Sequence, residues 1–296
     1  MGTGLYEFEK QAPGRFFDVG IAEQHAVTFA SALAAKGFKP FVSIYSTFLQ
    51  RAVDQIIHDV AISAQPVRLL IDRAGIVGED GETHHGLSDI GIIRNIPNFI
   101  YLAPSNGTEL RDMLYYAAEH GTGPVAIRFP RGSDRSGCVD FSAHERFEAG
   151  RSKRLSTGRD VALIAAGDMV SVALETAALL KESGFSATVL NLLSLKPLDM
   201  RRIEKAVAET RLFVSLENGY VSGGVGEHIL FRLNRELRSR MLFAAGFPDR
   251  FVEQGSMLEL FHLYGLDPHS IARKILRALK VRNIDEKRHS VRRVSG

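Results

Sequence analysis

A single cysteine, Cys138, stands in the 296 residues, so no internal disulfide can staple the chain. The ten histidines are scattered and no cysteine cluster accompanies them, so the ligand spacing of a zinc-type site is missing. Both absences fit a reducing compartment, and a cytoplasmic protein without its own metal ligands is the expectation. No apolar run approaches the roughly 18 to 20 residues of a membrane helix. Met1–Lys10 likewise lacks the apolar stretch behind a basic start that marks a signal peptide, so neither a membrane partner nor secretion is expected. Charge of one sign is scarce too: 37 Lys and Arg against 34 Asp and Glu leave a net charge of only +3. Much of that excess lies in Arg282, Lys287, Arg288, Arg292 and Arg293, set among Asp285 and Glu286 without an apolar stripe. This basic tail, 281–296, reads as a solvated, frayed end, and a nucleic-acid partner is not expected.

What is present describes a globular protein: 45% of the residues are hydrophobic and 24% charged. A chain of 296 residues exceeds the usual growth of one core, so two domains are expected. Stretches rich in β-branched residues alternate with longer segments of helical period, which predicts doubly wound α/β domains with parallel strands and crossover helices. In the first half a helix over Glu23–Lys36 stops at Gly37. A strand Pro40–Ser46, a helix Phe48–Ala64, a strand Val67–Asp72 and a glycine-rich loop Arg73–Leu87 follow. Asn106 with Glu109 reads as a cap for a helix ending near His120, ahead of a strand Val125–Arg128. From Pro130 to Arg159 the chain turns polar and glycine-rich without a sustained period. We therefore place a first domain at 1–132, a linker at 133–159 and a second domain at 160–280. The second domain carries predicted strands Val161–Ala165, Ala187–Leu192 and Leu212–Leu216, with helices Val170–Glu182, Asp199–Glu209 and Pro268–Leu279. No short-period repeat occurs, which excludes solenoids and propellers.

Three segments of the first half carry chemistry. Asp18-Val-Gly-Ile-Ala-Glu-Gln-His25 sets Glu23 at a predicted helix start, ahead of small apolar turns; it is either a site carboxylate or a group that satisfies the free N–H groups there. Ile44-Tyr-Ser-Thr-Phe-Leu-Gln-Arg51 passes from a strand end into a helix, where α/β folds present binding residues. Phe48 and Arg51 share a face at helical spacing, which suits a flat, partly charged ligand, while the plainer reading makes Phe48 core and Arg51 surface. The loop Asp72-Arg-Ala-Gly-Ile-Val-Gly-Glu-Asp-Gly-Glu-Thr-His-His-Gly86 follows a strand and sets glycines among titratable groups. Its glycines permit close backbone approach, Asp80 is charged at neutral pH and His84 can give or take a proton; a solvated surface loop is the alternative. It is not a P-loop, because the Gly-Lys-Ser/Thr ending is missing.

Taken together these segments resemble the pyrimidine-binding domain of thiamine-diphosphate enzymes, most closely the 1-deoxyxylulose-5-phosphate synthase family. The likeness rests on Ile21-Ala-Glu-Gln-His-Ala-Val-Thr28, Tyr45-Ser-Thr-Phe-Leu-Gln-Arg51, Asp72-Arg-Ala-Gly-Ile-Val-Gly78, Asp80-Gly81, Thr83-His84 and Phe129-Pro-Arg-Gly132. In the second half, Ser194-Leu-Lys-Pro-Leu-Asp199, Leu216-Glu-Asn218, Gly223-Gly-Val-Gly226, Gly246-Phe-Pro-Asp249 and Phe251-Val-Glu-Gln-Gly-Ser256 are similar to that family's C-terminal domain.

The resemblance implies roles. Glu23 would hydrogen-bond a pyrimidine nitrogen of the cofactor and serve, with His84, in catalysis, and Phe48 would stack on the aminopyrimidine. Tyr45, Arg51, Asp80, His84 and Arg131 would line the substrate side, where pyruvate loses carbon dioxide and its remaining fragment joins glyceraldehyde 3-phosphate. Arg51 and Arg131 would hold the phosphate, because a guanidinium fork matches its oxygens. Such a product feeds isoprenoid, thiamine and pyridoxal precursor synthesis, and the family implies a homodimer. In relatives the diphosphate and Mg2+ sit on an N-terminal domain with a Gly-Asp-Gly motif; here Gly167-Asp168 runs into Met169, and Glu79-Asp80-Gly81 belongs to the substrate side. The expectation is therefore a C-terminal section, a fragment or one part of a two-piece synthase, inactive without an N-terminal section. A section of a transketolase acting on sugar phosphates and a non-catalytic module that has kept the fold are the alternatives.

Overall fold

The computed structural model describes residues 2–133 and 146–294, with side chains described as far as Val281. Part of the expected linker, with Cys138, and the side chains of the basic tail beyond Val281 lie outside the described residues. Strands β1 (Phe41–Tyr45), β2 (Arg68–Asp72), β3 (Ile100–Leu102) and β4 (Val125–Arg128) belong to one sheet. The second sheet takes β5 (Lys153–Ser156), β6 (Val161–Ala165) and β7 (Ala187–Asn191). The chain then returns to the first sheet with β8 (Ser194–Lys196) before β9 (Leu212–Tyr220) and β10 (Met241–Phe247) complete the second.

The first sheet runs β1-β2-β4-β3-β8, parallel except for β8, which pairs antiparallel with β3 through Tyr101 and Lys196. The second runs β10-β9-β6-β7-β5, again parallel apart from one antiparallel edge, β5. Central strands such as β4 and β6 are buried along their whole length, as parallel strands covered on both faces must be. β8 ties the halves together, and so does the packing. One apolar cluster joins Val27, Leu49 and Ile71 of the first half to Ile164, Leu190 and Phe213 of the second. Another joins Ile76 and Leu87 of the glycine loop to Leu163, Leu216 and Phe247.

Local signals account for several element ends. The helix Glu23–Ala35 stops where Gly37 adopts φ +85 and its N–H bonds Ala34, a left-handed turn that a residue without Cβ takes at least cost. Asn106 caps the helix Gly107–Glu119, its side chain accepting from the Glu109 N–H. The predicted helix Phe48–Ala64 is instead a series of short turns: Ser46–Leu49, a 3-10 turn Gln50–Ala52, Val53–Gln55 and a wider π turn Ile56–Ala61. Leu49, Ala52, Ile56 and Val60 still point one face at the core, so the apolar spacing reads as helix although the hydrogen-bond pattern changes from turn to turn. The final helix, Pro268–Val294, continues beyond Leu279, where the apolar period that predicts it runs out and a frayed tail was expected. Among the described residues no helix is long and apolar enough to cross a membrane.

Candidate functional site

β2 and β4 end side by side at Asp72 and Arg128, and the glycine loop leaves from that carboxyl edge, where α/β sheets gather ligands. The loop is pinched shut at its base: the Gly75 N–H donates to the Gly86 carbonyl and the Gly86 N–H donates back, both at 2.7 Å. Two glycines here admit no side chain. A Cβ on Gly86 would lie 2.4 Å from the Arg73 carbonyl oxygen, and one on Gly75, which sits at φ +84, would lie 2.2 Å from Asn218.

Glu23 opens the helix Glu23–Ala35, but that helix start has no side-chain cap; the carboxylate turns to Arg51, whose Nη1 lies 3.1 Å from the buried Oε2 as an ion pair without a hydrogen bond. Tyr45, Phe48 and His84 form an aromatic row. Tyr45 stacks on Phe48 with ring centres 5.8 Å apart, and Phe48 meets His84 edge-on at 5.5 Å. Arg73 lies over the Tyr45 ring, 3.9 Å from its centre, and is paired with Asp72, whose carboxyl is raised by burial against the pull of Arg73. Thr47 in the turn Ser46–Leu49 after β1 donates to the Thr83 carbonyl at 2.9 Å, which fastens the row to the loop. Asp80 and Arg131 pair at 2.8 Å, and Arg131 also donates to the Val77 carbonyl at 3.1 Å. The structure therefore gathers Tyr45, Phe48 and His84 in one group, Glu23 and Arg51 in a second, Asp80 and Arg131 in a third. Each of the two arginines expected to grip phosphate already holds a carboxylate.

Beneath the loop lies a buried polar network that sequence reasoning did not single out. Arg128 donates to Asp89 at 2.8 Å and to the Asn218 carbonyl at 2.8 Å, while the Tyr101 hydroxyl donates to Asp89. Burial alone would lower the Arg128 guanidinium, but Asp89 and Tyr101 beside it raise it. Asp168, the carboxylate whose setting was no cofactor motif, accepts from Asn218 at 2.7 Å and is raised by burial. His85 links the Val77 N–H to the Glu253 carbonyl. The sequence carried Asn218 within the Leu216-Glu-Asn218 likeness, Arg128 at a predicted strand end and His85 beside His84, but not their partners, which are far away in sequence.

A cavity of about 790 Å³ opens elsewhere, between Arg94 and the helix Val225–Arg232, and none of the candidate residues lines it. Among the described residues no group of three or more His, Cys, Asp or Glu is placed to hold a metal ion.

Residues 1–135 match the transketolase pyrimidine-binding domain and residues 150–271 the transketolase C-terminal domain. The chain is 47% identical over 279 residues to a 1-deoxy-D-xylulose-5-phosphate synthase of Caldanaerobacter subterraneus subsp. tengcongensis, covering 94% of this chain and 44% of that protein. A synthase of the same name from Chlorobium luteolum is 47% identical over 276 residues, or 93% of this chain and 43% of its own length. The chain thus spans less than half the length of these curated relatives. Among solved structures, a split-gene transketolase described as an inactive beta4 tetramer superposes with a TM-score of 0.79 at 31% identity, covering 93% of this chain and 87% of that one.

Proposed function

Since the chain belongs to the transketolase family, with that family's pyrimidine-binding domain followed by its C-terminal domain, we propose that it supplies these two domains to a 1-deoxy-D-xylulose-5-phosphate synthase. The reaction would join pyruvate to glyceraldehyde 3-phosphate with loss of carbon dioxide. One observation carries the reading: Glu23 holds a largely buried carboxylate, its side chain 11% exposed, whose Oε2 is met by the Arg51 ion pair at 3.1 Å and by no hydrogen bond. A carboxylate oxygen accepts from more than one donor, so a protonated ring nitrogen would add the hydrogen bond that the ion pair does not supply. Thiamine diphosphate, when bound, supplies the carbon nucleophile and the electron sink for decarboxylation.

The chain's own groups then have defined tasks. Glu23 accepts the hydrogen bond of the pyrimidine nitrogen and favours its protonated form, and Phe48, half-buried, offers a ring face for stacking. His84, whose Nδ1 shares a hydrogen bond with Thr83, is left with Nε2 to exchange a proton with a substrate oxygen. Tyr45 and Asp80 position the substrate. Arg131 takes the phosphate by exchanging its carboxylate partner, a low-cost exchange because Arg131 and Asp80 are each close to half exposed, at 44% and 43%, and Arg51 joins it as Glu23 turns to the pyrimidine. The diphosphate and Mg2+ would be held by an N-terminal section, and the working assembly would be a homodimer of both parts.

Two measurements test this. Calorimetry on this chain alone should find weak thiamine diphosphate binding that Mg2+ does not strengthen; tight, Mg2+-dependent binding would place the diphosphate site within this chain. With an N-terminal section supplied in trans, pyruvate and glyceraldehyde 3-phosphate should give 1-deoxyxylulose 5-phosphate. Transfer of a two-carbon unit between sugar phosphates, with no use of pyruvate, would favour the transketolase reading to which the split-gene relative belongs.

A further inference from the structure

We infer that the second domain is the template for the glycine loop of the first, with Asn218 and His85 as the positioning residues that fix its backbone. For its effect on catalysis this inference rests on the function proposed above; the clamp itself stands on geometry alone.

Asn218 lies on β9 and is fully buried, and both polar atoms of its side chain and its backbone carbonyl are used. Its Oδ1 accepts from the Ile76 N–H at 3.0 Å, its Nδ2 donates to Asp168 at 2.7 Å, and its backbone carbonyl accepts from Arg128 at 2.8 Å. Gly75 packs directly over the amide, with no room for a Cβ. The next peptide is held by His85. Because the Val77 N–H donates to His85 Nδ1 at 3.1 Å, the ring proton resides on Nε2, which donates to the Glu253 carbonyl at 3.2 Å. Two successive loop N–H groups are thus bound by side chains, one belonging to the second domain and the other anchored to it.

The same wall continues along the loop. A Cβ on Gly78 would meet the Gly255 carbonyl at 3.3 Å, and one on Gly81 would meet Gln254 at 3.2 Å. Since Arg131 also donates to the Val77 carbonyl, both backbone polar groups of Val77 are held, and with them the two peptides that flank it. Asp80, Thr83 and His84 hang from a segment whose stem and one side are set by β9 and by residues 253–255. A domain that contributes none of the candidate substrate residues therefore determines where they stand.

Hydrogen exchange on the purified chain reads the clamp without any need for activity. Asn218→Ala should speed exchange at the Ile76 and Val77 amides by on the order of tenfold or more, the scale of one hydrogen bond lost, while amides of β4 and β6 keep their protection. His85 gives a second pair should Asn218→Ala not fold. An Asn side chain can place its oxygen where Nδ1 stands, and a Gln its nitrogen where Nε2 stands. His85→Asn, which keeps an acceptor for the Val77 N–H, should hold that amide better than His85→Gln, which keeps only the bond to the Glu253 carbonyl. In the reconstituted synthase the same variants should raise the acceptor KM more than they lower kcat, in the same rank order. Unchanged exchange at Ile76 and Val77, or exchange raised equally in the strands, would overturn the template role. Loosened loop amides with no synthase activity even in the parent would leave the clamp standing and count against the proposed function instead.

Discussion

Glu23 shows how little a residue's neighbours in sequence reveal of its partner. At a helix start a carboxylate ordinarily meets free N–H groups, yet here its Oε2 faces Arg51 in an ion pair and takes no hydrogen bond. That geometry separates stability from chemistry. The Arg51 side chain is 45% exposed, so the ion pair contributes no more than about 1 kcal/mol. Glu23→Gln keeps the volume but cannot support the charge change of a bound pyrimidine. In the reconstituted synthase we expect turnover to fall on the order of 10²-fold to 10⁴-fold while the melting temperature moves little, read by steady-state kinetics beside a thermal melt. Nearly normal turnover would remove Glu23 from catalysis.

At the scale of elements, β9 and the helix after it form a unit with its own pH dependence. Glu217 on β9 accepts from the Val225 and Gly226 N–H groups at 2.7 and 2.9 Å, capping the helix Val225–Arg232 from below. Burial raises its carboxyl to about 7 in spite of those two donors. Between its ordinary value of 4.5 and about 7 the folded state holds the extra proton, so this group's contribution falls as pH rises through that window. The full change is about 3 kcal/mol. His228 on the same helix acts in the opposite sense: burial, then Arg94, Arg232 and Lys196, lower it to about 4. The unfolded chain therefore takes that proton first, and stability falls as pH drops from 6.5 towards 4. The two slopes oppose each other where they overlap. In Glu217→Gln the slope that opposes His228 is removed, and urea midpoints should climb more steeply between about pH 4.5 and 6.5 than in the parent. Profiles of the same shape would mean that Glu217 stays ionised throughout.

For the whole molecule, the crossing of β8 into the first sheet and the shared apolar clusters make the halves one cooperative unit. Leu195 in β8 is 1% exposed and packs in the cluster common to both. Leu195→Ala should destabilise the chain by about 2 to 5 kcal/mol and shift a single calorimetric transition downward. A melt that splits into two peaks would show that the halves unfold independently.

The sequence by itself determined what depends on local pattern. Alternating β-branched and helical stretches predict the doubly wound sheets; Gly37 and Asn106 mark helix ends; Glu23, Phe48 and the glycine loop stand out because residues of those types fall at strand ends and helix starts. Short or glycine-broken elements such as β3, β5, β8 and β10 are too brief to show a period, and they took their form from pairing with distant strands. Only the tertiary structure decided that Asn218 and His85 clamp the loop, that Asp168 closes a buried network, and that Arg51 and Arg131 hold carboxylates. Those choices are made by hydrogen bonds between groups as many as 142 and 168 positions apart, and a one-dimensional pattern carries no register for partners that meet only when two domains pack.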